Sequence, residues 1–505
     1  MTKRDVIREL SFGQRVAEDE VDELASYFVQ TEQWRLVESG QVDIVFGSKG
    51  AGKSAIYSTL LSRADEMFDQ GILLISAENP RGTPAFRGLE NDPPTTEVEF
   101  VSLWKMYILS LIASAIDDYG FIGKAAKDVG TALAGEGLLP ASKAPLVARV
   151  KLELDWVRRT LSSSAVEAEV KLDPATGQPI AITGKITLSE PSAVQRAAGA
   201  ISVDSLLAMA NSALEENNYK MWVVFDRLDV AFSESHALEA NALRALFKCY
   251  LDMLSLPSIA PKIFLRTDIW DSVVEGGFRE ASHITRDLTI EWDNSALLNL
   301  IVRRMLSNDV VVGYLALDRL LVLSDAILQR RAFDTIVPDK IDVGRNPLTF
   351  EWILGRVQDG TKTFAPREVI HLLTEARNTQ LEMLERGESE PPATELFTRP
   401  AFREALLPVS TTRLEQTIYA EYPELKPRIA ALEFEKAEQT LQTLAEIWMV
   451  EPAEATAIAQ RLAEVGVFEP RGTKAEPRYW VPFLYRPALH LVQGAASEPT
   501  SSSPS

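Results

Sequence analysis

The sequence predicts an α/β fold organised on a parallel sheet, with helical additions towards the C-terminus. Three observations predict it. A glycine-rich octapeptide, Gly47 to Ser54, lies between an apolar run and a helix-like stretch; further short apolar runs recur between helical segments; and the pattern turns mostly helical from Ser295. Strands that alternate with helices pair in parallel, because each crossover returns the chain to the same edge of the sheet.

The elements follow in order. Residues 19 to 37 mix acidic and apolar positions at near-helical spacing, so they read as a helix, and the pentad Val42 to Phe46 reads as a buried strand. After the glycine-rich loop, Ala55 to Leu61 continues as a helix, Ile72 to Ser76 is a second strand, and a long helix spans about Val98 to Ile116. Between about 120 and 191 the pattern changes. Val166 to Leu172 and Ile180 to Leu188 alternate around the turn Asp173-Pro174-Ala175-Thr176-Gly177, which predicts a β-hairpin inserted in the α/β unit. A helix from Val203 to Glu216 leads to the strand Met221 to Phe225, which ends in Asp226. The helix Ala237 to Leu254 precedes the strand Lys262 to Arg266, and a last strand is expected near Leu288 to Ile290.

Ser295 to about Met383 predicts a helical lid, and Gly387-Glu388-Ser389-Glu390-Pro391-Pro392 has linker composition. Beyond it, a helix at Ala453 to Val465, two extended pieces between Phe468 and Trp480, and a closing Val481 to Leu484 suit a winged helix. The expected organisation is therefore an α/β unit at 1–300 with its insertion, a lid at 301–390, a winged-helix-like region at 391–495 and a disordered Ser/Pro-rich tail at 496–505.

A chain of 505 residues exceeds one ordinary core, since domains run to about 100–200 residues. With 46% apolar and 25% charged residues the composition is that of a globular protein, and no apolar run reaches the roughly 20 residues of a membrane span. Neither a membrane partner nor secretion is expected, and the cytoplasm is the expected location. One cysteine, Cys249, excludes an internal disulfide, and His236, His283, His371 and His490 have no metal-ligand spacing. A net charge of -20 argues against indiscriminate nucleic-acid coating, which relies on clustered cations.

The octapeptide Gly47-Ser48-Lys49-Gly50-Ala51-Gly52-Lys53-Ser54 is the phosphate-binding P-loop pattern, in the strand-loop-helix context that it requires. Its backbone N–H groups, continuing to Ala55, turn towards phosphate; Lys53 reaches the β- and γ-phosphates; and the Ser54 hydroxyl ligates Mg²⁺. The implied ligands are ATP and Mg²⁺. A second carboxylate on a buried strand end has to face the loop, and Asp226 fits. A base that activates water is less defined: Arg227 follows Asp226 where an acid is usual, so Asp229 and Glu78 are the candidates. Arg266, ending the next strand, is placed to sense phosphate charge, with Thr267 and Asp268 as alternatives and an ion pair with Asp226 or Asp229 as its structural explanation. Arg367, in Ala365-Pro366-Arg367-Glu368, opens a helix from which a lid cation reaches nucleotide. Arg303 and Arg304 could instead serve a neighbouring subunit.

The order of P-loop, Phe225-Asp226-Arg227-Leu228-Asp229, Phe264-Leu265-Arg266-Thr267-Asp268 and Pro366-Arg367 resembles bacterial P-loop ATPases of the AAA+ and STAND type, in particular a family of standalone ATPases. The resemblance spans roughly residues 10 to 380. It implies a nucleotide-driven switch with a helical lid, oligomerisation, a protein partner, and roles in phage defence or signalling. The expected function is a regulatory ATPase. The alternatives are an ATP-controlled DNA-binding protein using Arg461, Arg471, Lys474, Arg478 and Arg486, or a nucleotide-locked scaffold without turnover. A GTPase is disfavoured, because no Asn/Thr-Lys-x-Asp guanine-reading motif follows the second carboxylate.

Overall fold

A computed structural model describes residues 2–14, 29, 31–78, 93–139, 145–164, 186–228, 236–473 and 476–496. They form two compact units: Glu32–Ser48 with Lys53–Ile290, and Met1–Thr31 with Lys49–Gly52 and Glu291–Ser505. The first boundary therefore falls at 290, and the N-terminal helix groups with the C-terminal residues instead of with the sheet.

The first unit is built on strands β1 (Ile44–Gly47), β2 (Ile72–Ser76), β5 (Lys220–Phe225), β6 (Ile259–Arg266) and β7 (Asp287–Thr289), all parallel, in the order β2-β5-β6-β1-β7. A separate parallel pair, β3 (Ile186–Thr187) and β4 (Ile201–Ser202), lies beside it in sequence. β1 is buried along its whole length, and β5 from Met221 onwards, as the near-continuous apolar runs of a sheet covered on both faces require. The strands carrying the glycine-rich loop and Asp226 are not neighbours, because β6 pairs with both and lies between them.

The helix Glu97–Asp118 is capped by Thr96, whose hydroxyl accepts from the Glu99 amide, and it is apolar on nearly all sides. Such a helix has to be enclosed. By length and composition it is apolar enough to cross a membrane, but 89% of that window is buried inside the unit. Lys262, 2% exposed, is held by the Val42 carbonyl and Asp43, each at 2.7 Å, and Asp43 also pairs with Arg286 at 2.6 Å.

The described part of the insertion is mainly helical. Lys124–Gly135 and Leu146–Ser164 place Val129, Leu133, Val150, Leu154 and Val157 in the sheet unit's core. The expected hairpin around 173–177 lies outside the described residues. Glu153, fully buried, accepts from the Ser110 hydroxyl, and burial pushes its carboxyl up to about 8 despite Ser110 and Arg149. Below the unfolded value of 4.5 both states hold the proton. Between there and about 8 only the folded state does, so ionisation favours unfolding and stability falls as pH rises. In urea titrations, Glu153→Gln is expected to remove a slope on the order of 1 kcal/mol per pH unit between pH 5 and 8; parallel profiles for the two proteins would refute this.

The second unit has one core, shared by the helix Lys3–Glu9 (Val6, Ile7), the helices between Asn294 and Glu385, and the residues beyond Leu396. Arg377 donates to the Ile7 carbonyl at 2.9 Å and Arg304 to that of Phe12 at 2.7 Å. Gly387–Pro392 thus joins two parts of one core and is no boundary between cores. Its C-terminal sheet comprises β8 (Lys436–Thr440), β9 (Glu469–Gly472), β10 (Pro477–Trp480) and β11 (Val492–Ala495), in the order β11-β8-β10-β9. The helices Leu441–Trp448 and Pro452–Glu464 lie between β8 and β9, and β9-β10 form an antiparallel hairpin. β11, which the sequence reading missed, adds in parallel to β8. The tail from 497 lies outside the described residues.

Candidate functional site

The glycine-rich loop leaves β1 at Gly47 and enters the helix Lys53–Ser62. Gly50 and Gly52 have φ of +83° and +100°, conformations that side-chain-bearing residues rarely adopt. The Lys53 ammonium folds back into the curve of the loop, donating to the Gly47 carbonyl at 2.8 Å and the Ser48 carbonyl at 3.1 Å. Ser54 and Ala55 follow in the first turn of the helix, where backbone N–H groups have no intrahelical acceptor.

Within the sheet unit, Asp226 follows β5 and is 4% exposed. β2 pairs with β5 in the register Ser76 to Val224, and the Ala77 amide donates to the Val224 carbonyl at 2.9 Å. Glu78, 1% exposed, lies two residues beyond Ser76, the last paired residue of β2, and Asp226 lies two residues beyond its partner Val224. Two tyrosines brace the turn that carries Glu78. The Tyr57 hydroxyl lies 2.6 Å from Ser76 Oγ, which itself donates to the Glu78 carbonyl, and the Tyr107 hydroxyl donates to the Ala77 carbonyl at 2.6 Å. Burial pushes Tyr57 up to about 12 against the Ser76 hydrogen bond, with the nearby Asp226 and Glu78 carboxylates adding to the rise.

Arg227 has φ +59°, left-handed for a residue with a side chain. Asp229, the other candidate base, lies outside the described residues. Arg266 sits level with Gly47 in the β1–β6 register and is gripped by Asp268, Nε to Oδ1 at 3.0 Å and Nη2 to Oδ2 at 2.6 Å. Asp268 is thus an ion-pair partner of Arg266. Burial would raise the Asp268 carboxyl, but Arg266 outweighs it, with Lys53 also contributing, and holds it below the usual range.

Within the second unit, the loop tip meets residues far away in sequence. Lys49 pairs with Glu421, and Trp292 Nε1 donates to the Ala51 carbonyl at 2.8 Å. A Cβ added to Gly50 would lie 3.1 Å from Arg367 Cβ and 3.3 Å from its Cδ, so Arg367 is packed on the loop tip. Sequence reasoning missed Trp292 and Glu421, for which a single sequence holds no signal. Arg304 is 6% exposed and fixed to the Phe12 carbonyl, and Arg303, half-buried, donates to Asn299 at 2.8 Å.

Mg²⁺ prefers hard oxygen ligands, keeps several waters, and uses one or two protein groups beside phosphate oxygens. The Ser54 hydroxyl and the Asp226 carboxylate are such donors, and they fit. Among the described residues no cluster of three or more His, Cys, Asp or Glu suits a metal held by protein alone.

No protein-family model matches the sequence, and no curated protein matches it. Among solved structures the chain is similar to Cdc6p from Pyrobaculum aerophilum, 11% identical, with 94% of this chain and 97% of that one covered and a TM-score of 0.29. It is also similar to the ORC2 protein of Aeropyrum pernix in ADPNP–ADP complexes, 12% identical, with 95% and 94% covered and a TM-score of 0.35. Superposition this loose decides neither fold nor activity.

Proposed function

We propose that this chain is a P-loop ATPase of the AAA+ type that binds ATP with Mg²⁺, hydrolyses it, and acts as a nucleotide-dependent conformational or oligomeric switch. The observation that carries the reading is the strand order β2-β5-β6-β1-β7, with the glycine-rich loop after β1, Asp226 after β5 and a strand between them. In this reading the loop amides and Lys53 bind the phosphates, and Ser54 and Asp226 hold Mg²⁺, whose charge offsets that of the phosphates. Glu78 orients a water against the γ-phosphorus and takes its proton as the bond to ADP breaks. Arg266, set by Asp268, and Arg367, on its own helix, are the cations that answer phosphate charge.

The alternative, an ATP-controlled DNA-binding protein, has support in the order strand, helix, helix, hairpin at Lys436 to Trp480, which suits a winged helix. Its charges argue against DNA. The helix Pro452–Glu464 exposes Glu454, Gln460, Arg461 and Glu464, and Arg461 is paired with Glu464 at 3.0 Å. Arg471 pairs with Glu469 and Arg478 with Glu438, each at 3.0 Å, while Arg486 is 8% exposed and stacked on Trp480 and Phe483. Lys474 lies outside the described residues. Phosphate contacts need free cations, so we assign this surface to a protein partner.

Phosphate release by the purified chain, followed with light scattering, tests both readings. Turnover with an ATP-dependent change in size or shape is expected, with duplex DNA altering the rate less than about twofold, because a phosphate-binding face needs clustered Lys and Arg. DNA stimulation would favour the alternative, and ATP binding without turnover would point to a locked scaffold.

A further inference from the structure

The helix that begins at Arg399 changes pitch near the loop tip. It is α-helical to Arg413, widens to a π-turn over Leu414–Ile418, and returns to α at Tyr419–Glu421. A π-turn shifts the register of everything after it and occurs often at functional sites. Here the residues on both sides reach the same place. Beyond the turn, Glu421 pairs with Lys49. Before it, Arg413, its side chain 10% exposed, donates to Glu368 Oε1 at 3.0 Å and lies 3.6 Å from Asp359 Oδ2. Glu368, 5% exposed, directly follows Arg367, the residue packed on Gly50. A cavity of about 60 Å³, lined by Lys49, Arg367, Glu368, His371, Arg413 and Gln416, lies among these groups.

The other side of Arg413 leads to the C-terminal sheet. Asp359 Oδ1 accepts from the Thr361 amide at 3.0 Å, and the Gly360 amide donates to the Gly466 carbonyl at 2.7 Å. The approach leaves no space for a side chain: a Cβ on Gly360 would lie 2.1 Å from the Phe468 carbonyl oxygen. Lys362 pairs with Glu469 at 3.3 Å, in the first residue of β9, and Phe468 packs on Tyr479 of β10 with ring centres 5.5 Å apart. An arginine joined on one side to the residue after Arg367, and on the other to the loop that seats the β9-β10 hairpin, ties the two together through buried contacts. Buried ion pairs hold one geometry, because losing either partner leaves an unpaired charge away from water.

We propose that Arg413 is the positioning residue of a relay: through Glu368 it sets Arg367 against the loop tip, and through Asp359 it carries nucleotide state to the β9-β10 hairpin. This rests on the reading of the loop as a nucleotide site. The hairpin and the helix before it are then the output surface of the switch.

Hydrogen exchange of the full chain, with and without Mg²⁺ and a non-hydrolysable ATP analogue, tests the relay, with analogue affinity measured in parallel. In the wild type the analogue is expected to change exchange in Gly466–Phe468 and β10 about fivefold or more, the lower end of typical coupling between sites. Arg413→Met/Glu368→Gln removes the Arg413 and Glu368 charges together and leaves Asp359, 15% exposed, with its bond from the Thr361 amide. It is expected to reduce that change below about twofold while the analogue still binds, and Arg413→Lys, which keeps the charge without the fork, is expected to restore part of the response. An undiminished hairpin response in the double variant, or a wild type that binds the analogue without one, would overturn the relay alone. A wild type that binds no analogue would overturn the nucleotide reading and the relay with it.

Discussion

Lys53→Ala is expected to lower ATP affinity by roughly 10- to 100-fold and phosphate release by at least about 100-fold. The estimate follows from the bonds that the ammonium makes. In the structure it donates to the carbonyls of Gly47 and Ser48 in the loop. A phosphate entering that loop meets a cation already in place, and hydrogen bonds to charged groups contribute about 1.5–3 kcal/mol each. Alanine removes that cation and leaves the backbone cradle. Because the charge on the γ-phosphate oxygens is handled by the same ammonium as the bond to ADP breaks, turnover falls further than binding. Fluorescent-nucleotide titration and phosphate release on the wild type, Lys53→Ala and Lys53→Arg measure the two effects separately. A Lys53→Ala protein that turns over at the wild-type rate would exclude the loop as the catalytic site.

Much of the sheet unit was legible because its elements are local. The strand Ile72–Ser76 and the helix Val203–Glu216 have the bounds that apolar run length and period predict. Asp226 could be placed at a buried strand end because five apolar residues, Met221 to Phe225, precede it. Strand order was not legible: the run before Arg266 says nothing about lying between β1 and β5. Only pairing shows that. The contacts of the loop tip were equally hidden, since Lys49 meets Glu421 across 372 residues and Trp292 meets Ala51 across 241. The C-terminal arginines illustrate a third limit. A count of cations there does not tell which are paired, and in the structure Arg461, Arg471 and Arg478 each lie beside a glutamate.

Glu78→Gln is expected to lower ATP turnover by about 10²- to 10⁴-fold, the range typical of a lost general base, while ATP affinity changes less than about threefold. Arg227 occupies the position after Asp226 and brings a cation where a proton acceptor is needed, and its left-handed backbone turns the chain immediately after the strand. The acceptor then has to come from elsewhere on the same sheet edge. The end of β2 supplies one, since Glu78 follows Ser76 by the same two residues by which Asp226 follows Val224, its partner on β5, and adjoining strands lie about 4.8 Å apart. Two further features favour it. The turn carrying Glu78 is braced through Ser76 and Ala77 by Tyr57 and Tyr107, and both carboxylates add to the rise that burial imposes on the Tyr57 hydroxyl. Glutamine keeps the size and removes the proton acceptor, so binding and folding are expected to persist. Asp226→Asn differs in kind: it is expected to raise the Mg²⁺ concentration needed for half-maximal turnover, which Glu78→Gln leaves unchanged. A Glu78→Gln protein that retains its rate would move the base to Asp229, and Asp229→Asn would then show the loss.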